Sequence, residues 1–283
     1  MQAPSTANEK PAHFGDIDLT RKDFSRIVAR VHATTGIVLK EHKEVMVRSR
    51  ISRRLRDLGY SDFSSYMDFL EGPDGKAETI NFCNAITTNL TSFFRENHHF
   101  EHLLNELENS PNIDKERLRI WSAGCSTGEE PYSIAMTMLS AQRASMIEDK
   151  RILATDLDTN VLKKGQSGCY ENSKLKSIPQ HLRNEFVHSK GTDEFKIAPR
   201  ASRLISFNRL NLLGNWPFRG PFDFIFCRNV LIYFDAETKA ALIDKYANML
   251  KVGGVLYLGH SETILEEHAI LKGEGKTTYR RIA

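Results

Sequence analysis

The chain has 283 residues, 40% of them hydrophobic, and its 39 Lys and Arg against 36 Asp and Glu give a formal net charge of +3. That length admits two modest domains. The small surplus of charge excludes a protein that binds nucleic acid by bulk electrostatics, and no apolar run approaches the roughly 20 residues that span a bilayer. Cys83, Cys125, Cys169 and Cys227 lie far apart without metal-type spacing, which points to buried thiols in a reducing, cytoplasmic setting.

Residues 1–17 read as a disordered leader, rich in Ala, Pro, Ser and Asn and without the apolar stretch of a signal peptide. From Thr20 a helix is expected, with Phe24, Ile27, Val28 and Val31 on one face and its end near Gly36. A second runs over Lys40–Leu58 and stops at Gly59, with Val47, Ile51, Leu55 and Leu58 as its apolar stripe. Arg50, Arg53 and Arg54 gather on a flank of that stripe, and Arg56 stands farther round. Shorter helical patterns follow around Asp62–Glu71 and Ala77–Ile86. No strand-like alternation occurs before Leu118, so 18–96 reads as an all-helical N-terminal domain and 97–116 as a connecting helix and polar loop.

Residues 117–283 alternate as an α/β domain should. Strands are expected at Leu118–Trp121, Ile152–Thr155, Leu204–Phe207 and Phe222–Cys227, the last a nearly continuous apolar run suited to a centre covered on both faces. Helices are expected from the first strand's turn to about Arg143, from Asp158 to about Lys164, and over Ala236–Leu250, the last ended by Gly253-Gly254. Glu185–His188 and Glu194–Ala198 flank Lys190-Gly191-Thr192-Asp193 as a hairpin, the core of a small antiparallel β-subdomain at about 185–200. Val255–Gly259 and Thr278–Ile282 close the sheet as an antiparallel pair.

Between the first strand and its helix lies Ser122-Ala123-Gly124-Cys125-Ser126-Thr127-Gly128-Glu129-Glu130, a small-residue turn of the kind that cradles ligands in doubly wound sheets. Gly124 and Gly128 do not make the dinucleotide spacing. Glu129 and Glu130 stand where free N–H groups would otherwise hold a phosphate. Two carboxylates there repel phosphate and suit a cationic ligand, such as the sulfonium and ammonium of S-adenosylmethionine; simple stabilisation of the helix dipole accounts for them equally well. Asp156, directly after the second strand, can accept from both ribose hydroxyls, whereas Asp158 reads as the N-cap of the next helix. Phe226-Cys227-Arg228-Asn229-Val230-Leu231-Ile232-Tyr233-Phe234-Asp235 takes an apolar strand abruptly into an Arg-Asn pair, at the strand end where such sheets place their chemistry. The arrangement of nucleobase methyltransferases, an acidic or Asn residue, two prolines and an aromatic, is missing at this point.

Thr87-Thr88-Asn89-Leu90-Thr91-Ser92-Phe93-Phe94-Arg95-Glu96, the Ser122–Ser133 turn, Phe226–Asp235 and Gly259-His260-Ser261-Glu262, in that order, resemble the chemotaxis receptor methyltransferases of the CheR type. The resemblance spans about Asp23 to the C-terminus. It implies a helical N-terminal domain, a Rossmann-like class I methyltransferase sheet with its β-subdomain, and methyl transfer from S-adenosylmethionine to glutamate side chains on chemoreceptor cytoplasmic helices, leaving S-adenosylhomocysteine. Residue by residue, it implies a cofactor pocket of Asn89, Thr91, Arg95, Glu130, Asp156, Asn211, Leu212, Arg228 and Asn229, with Arg95 and Tyr233 at the reacting end. A glutamate carboxylate, with a reference pKa of about 4.3, is nucleophilic at neutral pH without a general base. Alignment is what the enzyme must supply, and Arg95 is the candidate to orient the acceptor. His98-His99 are adjacent rather than one turn apart, a poor chelating geometry, and no metal is expected.

The Arg50/Arg53/Arg54 flank reads either as a solvated helix face or as a basic surface for an acidic partner. The resemblance favours docking on an acidic receptor bundle, with Arg56 contributing. The hairpin offers an edge to which a receptor tail peptide can add as a strand. The rival readings are a methyltransferase for another acid and a non-catalytic, cofactor-binding protein that docks receptors.

Overall fold

The computed structural model describes residues 17–264 and 267–283, so the expected leader lies outside the described residues except at Ile17. The chain forms two compact units: one holds the chain through Val31 together with Leu39–Ile86, the other His32–Val38 and Thr87–Ala283. Thr87–Glu96 therefore runs with the second unit, and the boundary read at Glu96 falls after Ile86.

The first unit is helical, as its patterning demands. Its helices are α1 (Arg21–Thr35, whose last turn passes to the second unit), α2 (Glu44–Leu58), α3 (Phe63–Glu71) and α4 (Glu78–Ile86). A short 3-10 turn over Glu41–Lys43 precedes α2, so the helix starts later than Lys40. Gly59 ends it at φ 78°, a left-handed cap that glycine adopts without a Cβ penalty. Val47, Ile51 and Leu55 are buried on one stripe, but Leu58 is 41% exposed at the fraying end. The Asp62 side chain caps α3 by accepting from the Ser65 N–H.

The second unit opens on α5 (His98–Asn109) and winds through β1 (Arg117–Ala123), α6 (Glu129–Ser140), α7 (Gln142–Ser145), β2 (Asp149–Asp156), α8 (Thr159–Ser167), β3 (Cys169–Glu171), α9 (Gln180–Phe186), β4 (Val187–Lys190), β5 (Glu194–Ile197), α10 (Pro199–Ser202), β6 (Ile205–Arg209), β7 (Phe222–Cys227), α11 (Ala236–Met249), β8 (Leu250–Leu258), β9 (Leu271–Gly275) and β10 (Thr278–Arg281). The main sheet runs β6-β2-β1-β7-β8-β10-β9, its first five strands parallel and β10 antiparallel to both of its neighbours, β8 and β9. Alternate residues supply two cores. Leu118, Ile120, Phe224, Phe226, Val255 and Tyr257 face one, while Trp121, Ile225, Cys227, Leu256 and Leu258 face the other. That is why Phe222–Cys227 carries no exposed position. Its one charge, buried Asp223, accepts from the Arg119 N–H at 2.7 Å and pairs with Lys251.

Several local expectations shift. The helix after β1 breaks at Ala141, which is extended, into α6 and α7. Glu185 and Phe186 end α9, so the hairpin's first strand starts at Val187; it belongs to a three-stranded antiparallel sheet ordered β3-β5-β4. Gly253-Gly254 lies inside β8 rather than ending α11, which stops where Leu250 turns extended. Gly253 sits at φ 83°, and a Cβ on Gly254 would stand 2.9 Å from the Asp223 carbonyl, beside a register shift between Phe222 and Phe224. Beyond buried Leu271, β9 (Leu-Lys-Gly-Glu-Gly) is exposed and carries no alternation that would have marked it.

Candidate functional site: an acidic pocket at the strand ends

The order β2-β1-β7 makes the C-terminal ends of β1 and β7 a topological switch point, where open α/β sheets bind ligands. Four loops converge there. The turn after β1 brings Ser126 and Glu130, β2 ends in Asp156, β7 runs into Arg228 and Asn229, and β8 leads to Gly259–Glu262.

Asp156 is buried, and its carboxylate accepts from the backbone N–H of Ser126 at 2.8 Å and of Asp158 at 2.9 Å. Burial outweighs those bonds and pushes its pKa up to about 6. Asp158 caps α8 by accepting from the Asn160 N–H at 2.8 Å. Its other oxygen accepts from Thr87 Oγ1 at 2.9 Å and Asn89 Nδ2 at 2.8 Å. The Asn89 amide nitrogen thus points at Asp158, while its carbonyl accepts from Ser126 Oγ at 2.9 Å and ties the Thr87–Glu96 segment to the turn. Thr91 is half-buried in the same segment. On the far side of β2, Asn211 donates to the Thr34 carbonyl at 2.9 Å and accepts from the Leu213 N–H at 3.0 Å. The carbonyl of buried Leu212 accepts from Trp216 and Lys245, each at 3.1 Å.

The two glutamates of the α6 turn part company. Glu129 is fully buried, accepts from Thr127 Oγ1 at 2.6 Å and pairs with Lys174, so it belongs to the packing. Glu130 accepts from Ser122 Oγ at 2.7 Å and lies 3.3 Å from Arg228 Nη1. Burial raises its pKa against the pull of Arg228 and Ser122. Arg228 is itself only 6% exposed, lies 3.4 Å from Glu96 Oε2 and donates to the Arg95 carbonyl. Arg95 turns its guanidinium to the Leu90 carbonyl at 3.0 Å, and a third of its side chain stays open. Tyr233 Oη donates to the Thr88 carbonyl at 3.4 Å.

Asn229 adopts φ 59°, a left-handed conformation that costs a non-glycine residue about 1 kcal/mol or more. Phe94, Glu96 and Ser126, at φ 52°, 55° and 49°, share it around the same pocket. Two acids that sequence reasoning left without a role hold Asn229 there. Buried Glu262 accepts from the N–H of Asn229 (2.7 Å), Ile232 (3.1 Å) and Gly259 (2.7 Å). Glu96 takes the Asn229 side-chain amide at 3.3 Å and the His260 ring at 3.1 Å. Their place in the two motifs was the only signal available.

His98 and His99, read as poorly placed to chelate, do bring ring nitrogens within 4.8 Å of each other and of a Glu96 oxygen, but Arg228 already sets a fixed cation 3.4 Å from Glu96. The arginine flank of α2 is divided. Arg54 forms a two-pronged pair with Glu78 at 2.7 Å on each side, and Arg50 donates to the Ile86 carbonyl at 2.7 Å. Arg53 and Arg56 remain exposed. No helix among the described residues is long and apolar enough to cross a membrane.

Two family models match the chain: CheR methyltransferase, all-alpha domain, over residues 22–87, and CheR methyltransferase, SAM binding domain, over residues 89–280. The chain is 42% identical over 259 residues to a probable chemotaxis protein methyltransferase of Rhizobium etli, spanning 88% of this chain and 96% of that protein. It is 41% identical over 262 residues to the chemotaxis protein methyltransferase of Escherichia coli K12, spanning 90% of each. The donor set fits S-adenosylmethionine. Glu130 is a carboxylate suited to a cation, and Asp156 retains lone pairs for a vicinal diol at the end of β2. With a pocket of that chemistry at the switch point and both models matched in order, the chain belongs to the CheR methyltransferase family.

Proposed function

We propose that this S-adenosylmethionine-dependent methyltransferase esterifies glutamate side chains of chemoreceptor cytoplasmic segments. Bound in the pocket, the cofactor supplies an electrophilic methyl group on a positively charged sulfur. The acceptor carboxylate is ionised at neutral pH, so no side chain has to remove a proton. We assign Asp156 to the ribose, Glu130 to the ammonium end, Asn211 and Leu212 to the adenine side, and Asn89, Thr91, Arg228 and Asn229 to the remaining wall. Arg95 orients the acceptor through a charge-assisted hydrogen bond, and Tyr233 lines the reacting end. The observation that carries this reading is the partly open Arg95 guanidinium beside a buried Asp156 and a Glu130 whose side chain is only 13% exposed. Arg53 and Arg56 form the docking face, and the outer edge of β4 receives a receptor tail peptide.

The test is transfer of labelled methyl from the cofactor to receptor-rich membranes. The label is expected on receptor protein and released by mild base, as an ester is. Label that resists base, or none, overturns the assignment. Arg95→Ala should cut turnover by about a hundredfold while changing affinity for S-adenosylhomocysteine less than about threefold, because the interaction belongs to the acceptor.

A further inference from the structure

Thr88, Asn89 and Leu90 form a rail along the pocket, within the second unit. Their three successive carbonyls are each taken by a side chain of the site: Thr88 by Tyr233 Oη at 3.4 Å, Asn89 by Ser126 Oγ at 2.9 Å and Leu90 by Arg95 Nη1 at 3.0 Å. The Asn89 amide donates to Asp158 at 2.8 Å and pins the rail again. The backbone is therefore fixed, and with it the direction in which the Leu90 side chain leaves it. That side chain is 80% exposed, more than any other large apolar residue among those described. Leaving a leucine in water forgoes the gain of burying it. Single exposed leucines are ordinary. This one is held out by pocket residues, and its own carbonyl grips the arginine assigned to the acceptor. Covalent geometry keeps Arg95 Nη1 within about 6 Å of the Leu90 Cβ. Ile232, the residue before Tyr233, is 47% exposed as well, so an apolar side chain accompanies each of the two residues assigned to the reacting end.

We infer that Leu90 is a specificity-determining residue for the acceptor: its side chain packs on the apolar surface of the protein segment that presents a carboxylate to Arg95. The inference rests on the assignment of Arg95 to the acceptor. An arginine alone tells one acid from another poorly, because it meets the same pair of oxygens in each. A glutamate in a protein brings an aliphatic stem and neighbouring side chains that can cover Leu90, and a small free acid does not. Such a contact is the same before and during methyl transfer, so it tightens binding of the acceptor without speeding the chemical step. Leu90 thus acts on KM, and Arg95 on turnover.

The test measures initial rates of labelled-methyl transfer by the full-length chain over a range of receptor-rich membrane concentrations, with affinity for S-adenosylhomocysteine read by calorimetry. Leu90→Ala removes most of the apolar contact and should raise KM for the receptor about tenfold, with kcat and affinity for S-adenosylhomocysteine changed less than about twofold. Leu90→Met keeps an apolar side chain of similar size and should bring KM back to within about twofold of the unaltered chain. With the side chain 80% exposed, neither change threatens the fold. An unchanged KM in Leu90→Ala overturns the inference. So does a fall in kcat, or in affinity for S-adenosylhomocysteine, as large as the rise in KM, because Leu90 would then serve only to hold Arg95 or the rail. Failure of the unaltered chain to transfer base-labile label would instead sink the glutamate assignment itself.

Discussion

In our proposal Asp156 ties burial to ligand binding at a single residue. Its pKa is raised to about 6 by desolvation, and only its ionised form can accept from both ribose hydroxyls. A ligand that needs the carboxylate must displace the proton below that value. Affinity for S-adenosylhomocysteine should thus be flat from pH 7 to 8 and fall as pH drops below about 6, approaching tenfold per unit. Asp156→Asn should bind more weakly and lose the pH dependence, which titration calorimetry across pH 5–8 would read. The same raised pKa favours the ligand-free fold at low pH: against an unfolded value of about 3.9, that contribution is lost as pH rises through about 6. The capping role of Asp158 was legible, because a carboxylate two residues past a strand and just before an apolar-periodic run is an N-cap by position. The role of Glu96 was not. It depends on meeting Asn229, and nothing local to Phe93-Phe94-Arg95-Glu96 announces a partner from the end of β7.

Between elements, the joint that matters most is the carboxylate of Glu262. It gathers three backbone N–H groups from the end of β8 and from the connection between β7 and α11. Glu262→Ala would strand buried donors, and we expect a loss of about 3 kcal/mol in urea denaturation, together with weaker binding of S-adenosylhomocysteine through Asn229. The strands that frame this joint were plain in the sequence, since Phe222–Cys227 is apolar at every position but Asp223. The glycine pair of β8 misled because Gly-Gly after a helix pattern reads as a terminator. Here close approach to the Asp223 carbonyl and a local register shift demand glycine inside the strand. Small or polar strands such as β3 and β9 gave no periodic signal, since they are too short or too exposed to need one.

For the molecule as a whole, receptor recognition rests on the first unit in our proposal, and the remaining basic face of α2 is narrower than the sequence implied. Arg54 and Arg50 serve Glu78 and the Ile86 carbonyl, which leaves Arg53 and Arg56 to meet an acidic partner. Arg53→Glu should lower receptor methylation at least tenfold in low salt and leave affinity for S-adenosylhomocysteine unchanged; methylation at the unaltered rate would retire Arg53 as a docking residue. The helical character of that unit was fully legible, but its limits were not, because the chain does not change units once and stay. His32–Val38 is built into the second unit: Asn211 donates to the Thr34 carbonyl, and the Val38 N–H donates to the Tyr233 carbonyl at 2.9 Å. The chain thus enters the second unit at His32, returns to the helical unit at Leu39 and passes back at Thr87. A ribosome making this protein releases that short strap 177 residues before the asparagine that fastens it. The nascent catalytic half must therefore wait for the segments that follow β6 and β7 before its earliest piece has anywhere to go.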